Sequence, residues 1–172
     1  MLEVTSHQVP QVKGTKIRHL GEPPNKLFPM AFFDGVAVKS IGGAGVCIWT
    51  NDQHYISIRL GFGCITNTKA ELLSLWELFY IVKDIGLPYL RVFSDSSVII
   101  NWTKEESTLA IVNLDSWCDN TRKLISLFTY EDFSHVYREH NKRAYSLYKE
   151  GLHMASCHLT FTEMCEGKCL GK

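Results

Sequence analysis

The stretch TNTKAELLSLWELFYIVKDIGLPYLRVFSD (residues 66–95) decides the fold. Leu72, Leu75, Trp76, Phe79 and Val82 recur close to the 3.6-residue period of a helix with one apolar face, and Gly86 and Pro88 stop it. Thr68-Lys69-Ala70-Glu71 at its start matches the capping-box pattern, in which a Thr and a Glu side chain each satisfy a backbone N–H at the helix entrance. YLRVFSD (89–95) then reads as a compact apolar strand. A strand returning after a helix in this rhythm points to a right-handed crossover onto a parallel neighbour. Upstream, FPMAFFDGV (28–36) is short, apolar and aromatic-rich, a buried strand expected to end near Asp34.

Between these two strands, GGAGVCIW (42–49), the polar turn TNDQ and HYISIRLG (54–61) read as a hairpin with alternating faces. Downstream come a short apolar helix with Val98, Ile99 and Trp102, a connection KEESTLAIVNL, and an amphipathic helix marked by Leu114, Trp117, Cys118, Thr121, Leu124, Ile125 and Phe128. FSHVYRE (133–139) is a fifth strand, and Asn141 caps a last helix carrying Ala144, Leu147, Tyr148 and Leu152. The expected class is α/β: a five-stranded mixed sheet, three antiparallel strands then parallel ones, with helices packed on it. The domain spans residues 28–152, after a loosely ordered leader at 1–27 broken by GEPPN and before an irregular tail at 153–172. Neither GxGxxG nor GxxxxGK[ST] occurs, so a glycine loop cradling phosphates has no support.

A chain of 172 residues with 45% hydrophobic and 21% charged residues has globular composition, long enough to bury a core without disulfides or a structural metal. Eighteen Lys plus Arg balance eighteen Asp plus Glu, which removes the argument from a strongly basic domain; nucleic-acid binding would need a local patch. The first residues do not form a signal peptide, and no apolar run approaches the ~20 residues of a spanning helix. An intracellular protein, monomeric and without membrane contact, is expected, with its six cysteines read as thiols.

Three acids sit where acids are awkward: Asp34 at the end of an apolar strand, Glu71 at the entrance of an amphipathic helix, and Asp95 at the end of the central strand. If the two strands are parallel neighbours, Asp34 and Asp95 share one sheet edge at about one strand spacing, ~5 Å. A helix beginning near that edge brings Glu71 to them. Carboxylates so close repel unless a cation neutralises them, and an all-oxygen set favours Mg²⁺ or Mn²⁺ over zinc. Such a site suits phosphoryl chemistry with two metals. Each acid also has a plain structural reading: Glu71 as the capping-box partner of Thr68, Asp34-Gly35 as a turn, Asp95-Ser96 as a helix cap. The combination carries the case.

FFDG (32–35), GGAG (42–45), TNTKAEL (66–72), FSDS (93–96) and REHNKRAYSLYKEGL (138–152) together resemble type 1 ribonuclease H, and more narrowly the reverse-transcriptase-like, retroelement-derived ribonuclease H domains of plants. The resemblance implies a five-stranded mixed sheet and Mg²⁺- or Mn²⁺-dependent endonucleolytic hydrolysis of RNA in RNA/DNA hybrids, leaving 3′-hydroxyl and 5′-phosphate ends. It puts the catalytic metal ligands on Asp34, Glu71 and Asp95; Gly35, Asn67, Thr68, Ser96, Arg138, Lys142 and Arg143 are the expected substrate contacts. Asn67 and Thr68 fall on the helix-entry loop that meets the hybrid's minor groove, where 2′-hydroxyls are displayed.

Three departures from the family stand out. Its fourth acid corresponds to Tyr145, a neutral phenol expected to leave the last helix near Asp34, at the margin of the apolar face. The mobile active-site His has no clear counterpart, His140 being a helix-entry residue. The basic handle of some members is replaced by Glu105 and Glu106 beside Lys104. His135, Arg138, His140, Lys142 and Arg143 remain for phosphate binding, with an ordinary solvated face as their plain reading, and Lys13, Lys16 and Arg18 in the leader read as a flexible surface. His153, Cys157, His158, Cys165 and Cys169 match no strong zinc template and read as chance ligands in a disordered tail. A catalytically degenerate hybrid- or RNA-binding module and a retroelement remnant are the alternative readings.

Overall fold

The computed structural model describes residues 22–109 and 113–172. Most of the leader, residues 1–21 with Lys13, Lys16 and Arg18, lies outside the described residues, as does part of the expected connection at 110–112. Residues 22–27 carry no regular structure.

The chain runs β1 (Met30–Val38), β2 (Ile41–Trp49), β3 (His54–Cys64), α1 (Asn67–Asp84), β4 (Tyr89–Ser94), α2 (Ser97–Thr103), α3 (Asp115–Ile125), β5 (Tyr130–His135), a 3₁₀ turn (Arg138–His140), α4 (Lys142–Gly151), β6 (His158–Cys165) and β7 (Lys168–Gly171). The expected mixed sheet is present, extended by two strands to the order β5-β4-β1-β2-β3-β6-β7. β1, β2 and β3 pair antiparallel, and β4 joins β1 in parallel through Met30–Arg91, Ala31–Val92 and Phe32–Phe93. Among the described residues no helix is long and apolar enough to cross a membrane.

Alternation along β1 and β2 divides the molecule into layers. Ala31, Phe33, Ala44, Val46 and Ile48 join the main core with Leu72, Leu75, Leu78, Phe79 and Val82 of α1. Met30 and Phe32 face the other side, where Phe93 and Val136 complete a smaller cluster. α4 lies against that second face of β2. There a Cβ on Gly43 would approach the Tyr148 carbonyl oxygen to 2.7 Å, and one on Gly45 the Tyr148 nitrogen to 2.6 Å. Gly43 and Gly45 of GGAG are thus the seat of α4 on the sheet.

Four local expectations are corrected. The tail is not irregular: β6 pairs antiparallel with β3 from His54–Cys165 to Gly61–His158, then turns through Glu166 and Gly167, both at positive φ, into β7. Most of its side chains stay exposed, so pairing rather than burial orders it. β1 continues to Val38, which leaves Asp34 inside the strand rather than at its end. β5 stops at His135, before the 3₁₀ turn. The capping box does not form: α1 begins at Asn67 behind Thr66, which puts Thr68 inside the first turn and leaves Glu71 beyond capping reach.

Candidate active site

Two residues beyond the Phe32–Phe93 pair of two adjacent parallel strands come Asp34, inside β1, and Asp95, just past the end of β4. Asp34 is 6% exposed and pairs across β1–β2 with Gly45, so it shares the sheet face on which α4 sits. Gly35 faces the opposite way, and a Cβ there would strike the Ala70 carbonyl oxygen and come within 2.8 Å of the Glu71 nitrogen. Only glycine lets the first turn of α1 lie on β1, and that contact delivers Glu71 beside Asp34.

Glu71 is held by its neighbours. Asn67 Nδ2 donates to Glu71 Oε1 at 3.1 Å, and Asn67 Oδ1 accepts from the backbone N–H of Ala37 at 3.1 Å, which ties the α1 entrance to β1. Ser96 lies close enough to the Glu71 carboxylate to pull its pKa downward. Its hydroxyl further accepts from the Ile99 N–H at 3.4 Å as the cap of α2. Thr68 sits half-buried one residue further into α1.

Asp95 is restrained on both oxygens. Arg138 Nε donates to Oδ2 at 2.9 Å and Asn141 Nδ2 donates to Oδ1 at 2.6 Å. Asn141 occupies the cap position of α4 without capping it; its amide instead bridges the Phe33 carbonyl, at 3.0 Å, and Asp95. The expected helix cap is therefore a clamp across the two acid-bearing strands, because both acceptors lie within reach of its buried side chain. Its role was not legible in sequence, since its partners lie 108 and 46 residues away.

Burial first, then the negative charge of Asp95, and more weakly that of Glu71, push the Asp34 carboxyl up to about 7, against a downward pull from Arg138 and from the Gly35 N–H. Burial likewise raises Glu71, and Asp95 adds to it, while Ser96 and Asn67 work downward. Asp34 Oδ2 is buried with no hydrogen-bond partner, the costly state for a carboxylate oxygen. An all-oxygen group with one such orphaned atom fits a hard divalent cation. As the side chains lie, no group of three His, Cys, Asp or Glu among the described residues is close enough to enclose an ion, which includes the His and Cys residues of β6 and β7.

Tyr145 packs edge-on against Tyr148 at 5.0 Å between ring centroids and lies between two cations: the Arg138 guanidinium at 5.3 Å and Lys149 Nζ at 4.2 Å from its ring. Tyr148, one turn on, is buried and feels the charge of Asp34; burial is the main reason its phenol is held above the ordinary range. Lys142 is exposed on the first turn of α4. Arg143 leaves the acids, donating to Ser57 Oγ at 3.1 and 3.2 Å and lying 4.1 Å from the Tyr55 ring and 5.8 Å from that of Trp49. Of the expected substrate residues, Gly35, Asn67, Ser96 and Arg138 thus gather round the acids, and Arg143 does not.

The reverse transcriptase-like family model matches residues 32–151. Comparison with curated proteins gave no match. Among solved structures, RNase H1 from the halophilic archaeon Halobacterium salinarum NRC-1 is 23% identical with a TM-score of 0.67, over 72% of this chain and 96% of that one. The N-terminal RNase H domain of a Mycobacterium tuberculosis protein is 20% identical with a TM-score of 0.65, over 72% and 94%. LC11-RNase H1, obtained from compost by a metagenomic approach and solved in complex with an RNA/DNA hybrid, is 22% identical with a TM-score of 0.63, over 72% and 95%. The fold is RNase H-like, and with the family match running through every element from β1 to α4, the chain belongs to the reverse transcriptase-like family.

Proposed function

We propose that this protein is a divalent-metal-dependent nuclease that hydrolyses the RNA strand of RNA/DNA hybrids, with Asp34, Glu71 and Asp95 as its metal ligands. The observation that carries the reading is Asp34: a buried carboxylate, one oxygen without a partner, within the fields of Glu71 and Asp95. Asp34, Glu71 and Asp95 would hold Mg²⁺ or Mn²⁺, which would supply Lewis acidity to the scissile phosphate and an activated water.

The protein's own groups do the rest. Asn141 fixes the orientation of Asp95, and Asn67 that of Glu71, so each acid presents a set direction. The α1 entrance with Asn67 and Thr68 is the surface for the hybrid's minor groove. Exposed Lys142 adds long-range attraction to the phosphate backbone that falls steeply with salt. A non-catalytic hybrid-binding role is the second reading, and Tyr145 in place of an acid is what favours it. A labelled hybrid incubated with the purified chain in Mg²⁺ and in Mn²⁺ separates the two. Cleavage that disappears in Asp34→Asn supports the nuclease; retained binding with no cleavage in either metal supports the binder.

A further inference from the structure

We propose that Arg138 takes the place of a second cation at this site, so that the carboxylates bind one divalent ion rather than two. The inference rests on the metal-binding reading above and refines it.

Arg138 is built into the acid cluster. The 3₁₀ turn, closed by His140 N–H to Tyr137 O at 2.8 Å and Asn141 N–H to Arg138 O at 3.0 Å, supplies both side chains that occupy Asp95. The Asp95 side chain is 8% exposed, so its ion pair with Arg138 is sheltered on the acid side even though the guanidinium is 66% exposed. The guanidinium is backed by the Tyr145 ring, and Lys149 lies over the same ring. A fourth acid at this place would attract another metal ion. Two side-chain cations already held at that ring disfavour a further cation there.

The charge count points the same way. Asp34, Glu71 and Asp95 carry three negative charges when ionised, and Arg138 with one divalent ion carries three positive. A second divalent ion would leave an excess of two positive charges in a partly buried site, with Lys149 adding to it. Like charges at such range are strongly unfavourable where water does not screen them.

The test is a Mn²⁺ titration of the whole chain, with free Mn²⁺ read by electron paramagnetic resonance and each variant's thermal melt recorded to confirm folding. Wild type is expected to bind one ion, and Arg138→Gln to bind one ion on the order of tenfold more tightly, since a neighbouring positive charge is gone. Tyr145→Asp alone still binds one, because the new carboxylate pairs with Arg138 and Lys149. The double variant Arg138→Gln/Tyr145→Asp binds two. Two ions on wild type, one on the double variant, or an unchanged affinity in Arg138→Gln each overturns the proposal. Failure of the underlying reading looks different: wild type then binds no ion, or Asp34→Asn binds as wild type does.

Discussion

Replacing Asp34 by Asn should stabilise the metal-free protein, and by an amount that depends on pH in a defined way. The Asp34 carboxyl sits at about 7 in the folded protein against 3.8 for an ordinary aspartate. Because the folded value is the higher one, the native state binds more protons than the unfolded chain between those values, and stability falls as pH rises through the window. Below the ordinary value Asp34 is neutral in both states and costs nothing. Across the window one extra bound proton corresponds to a slope of ~1.36 kcal/mol per pH unit, so the cost above pH 7 approaches roughly 4 kcal/mol. Asp34 is 6% exposed, so solvent screening removes little of this. Asn keeps the shape and carries no charge. Urea unfolding in EDTA at several pH values from 5 to 8 should therefore show the two proteins diverging. The gap should widen by about 2 to 3 kcal/mol between pH 5 and 7 and then level off. Parallel stability curves would show that Asp34 ionises without penalty and would remove the electrostatic basis of the site. With Mg²⁺ in place of EDTA, wild type should recover most of its deficit at pH 8 and the variant should gain nothing, because a bound ion stabilises only the state that binds it.

Three further outcomes follow from the packing. Gly35→Ala forces a Cβ onto the Ala70 carbonyl and should cost about 2 to 3 kcal/mol. Hybrid cleavage should fall with it as Glu71 is displaced, both measurable on one preparation by denaturant melt and gel assay. Asn141→Ala removes the bonds to Phe33 O and Asp95 Oδ1. A loss of ~1.5 to 3 kcal/mol is expected, the range for a bond to a charged group, together with a lower kcat at unchanged KM for hybrid; a change in KM alone would contradict its positioning role. Ending the chain before His158 uncovers the long edge of β3, so the shortened protein should melt earlier and self-associate in size-exclusion chromatography at concentrations where the full chain does not.

What could be read in the sequence follows from where burial is periodic. α1 announces itself because Leu72, Leu75, Phe79 and Val82 are all fully buried at helical spacing, and β2 because Ala44, Val46 and Ile48 alternate with the glycines that seat α4. The crossover rule admits the parallel neighbourhood of β1 and β4, and with it the approach of Asp34 to Asp95, without fixing it. β6 leaves no sequence pattern because Leu159 and Phe161 are both exposed, so the strand has no buried face. Its one local mark was Glu166-Gly167, a two-residue turn of the kind that joins hairpin strands.

The residues that turn three acids into a site were the least legible, and for a common reason. Asn141 looks like a helix cap to any local reading, because Asn is favoured there whether or not its amide is used. Its actual bonds cross to β1 and to Asp95. Tyr145 and Tyr148 lie three positions apart, and which of them meets Asp34 depends on the rotation of α4 about its axis. Gly43 and Gly45 set that rotation by admitting the helix backbone against β2. The result buries Tyr148 within the field of Asp34 and leaves Tyr145 beside Arg138 and Lys149. An acid restored at position 145 would therefore meet two cations first, which is why its effect on metal binding should depend on whether Arg138 is present.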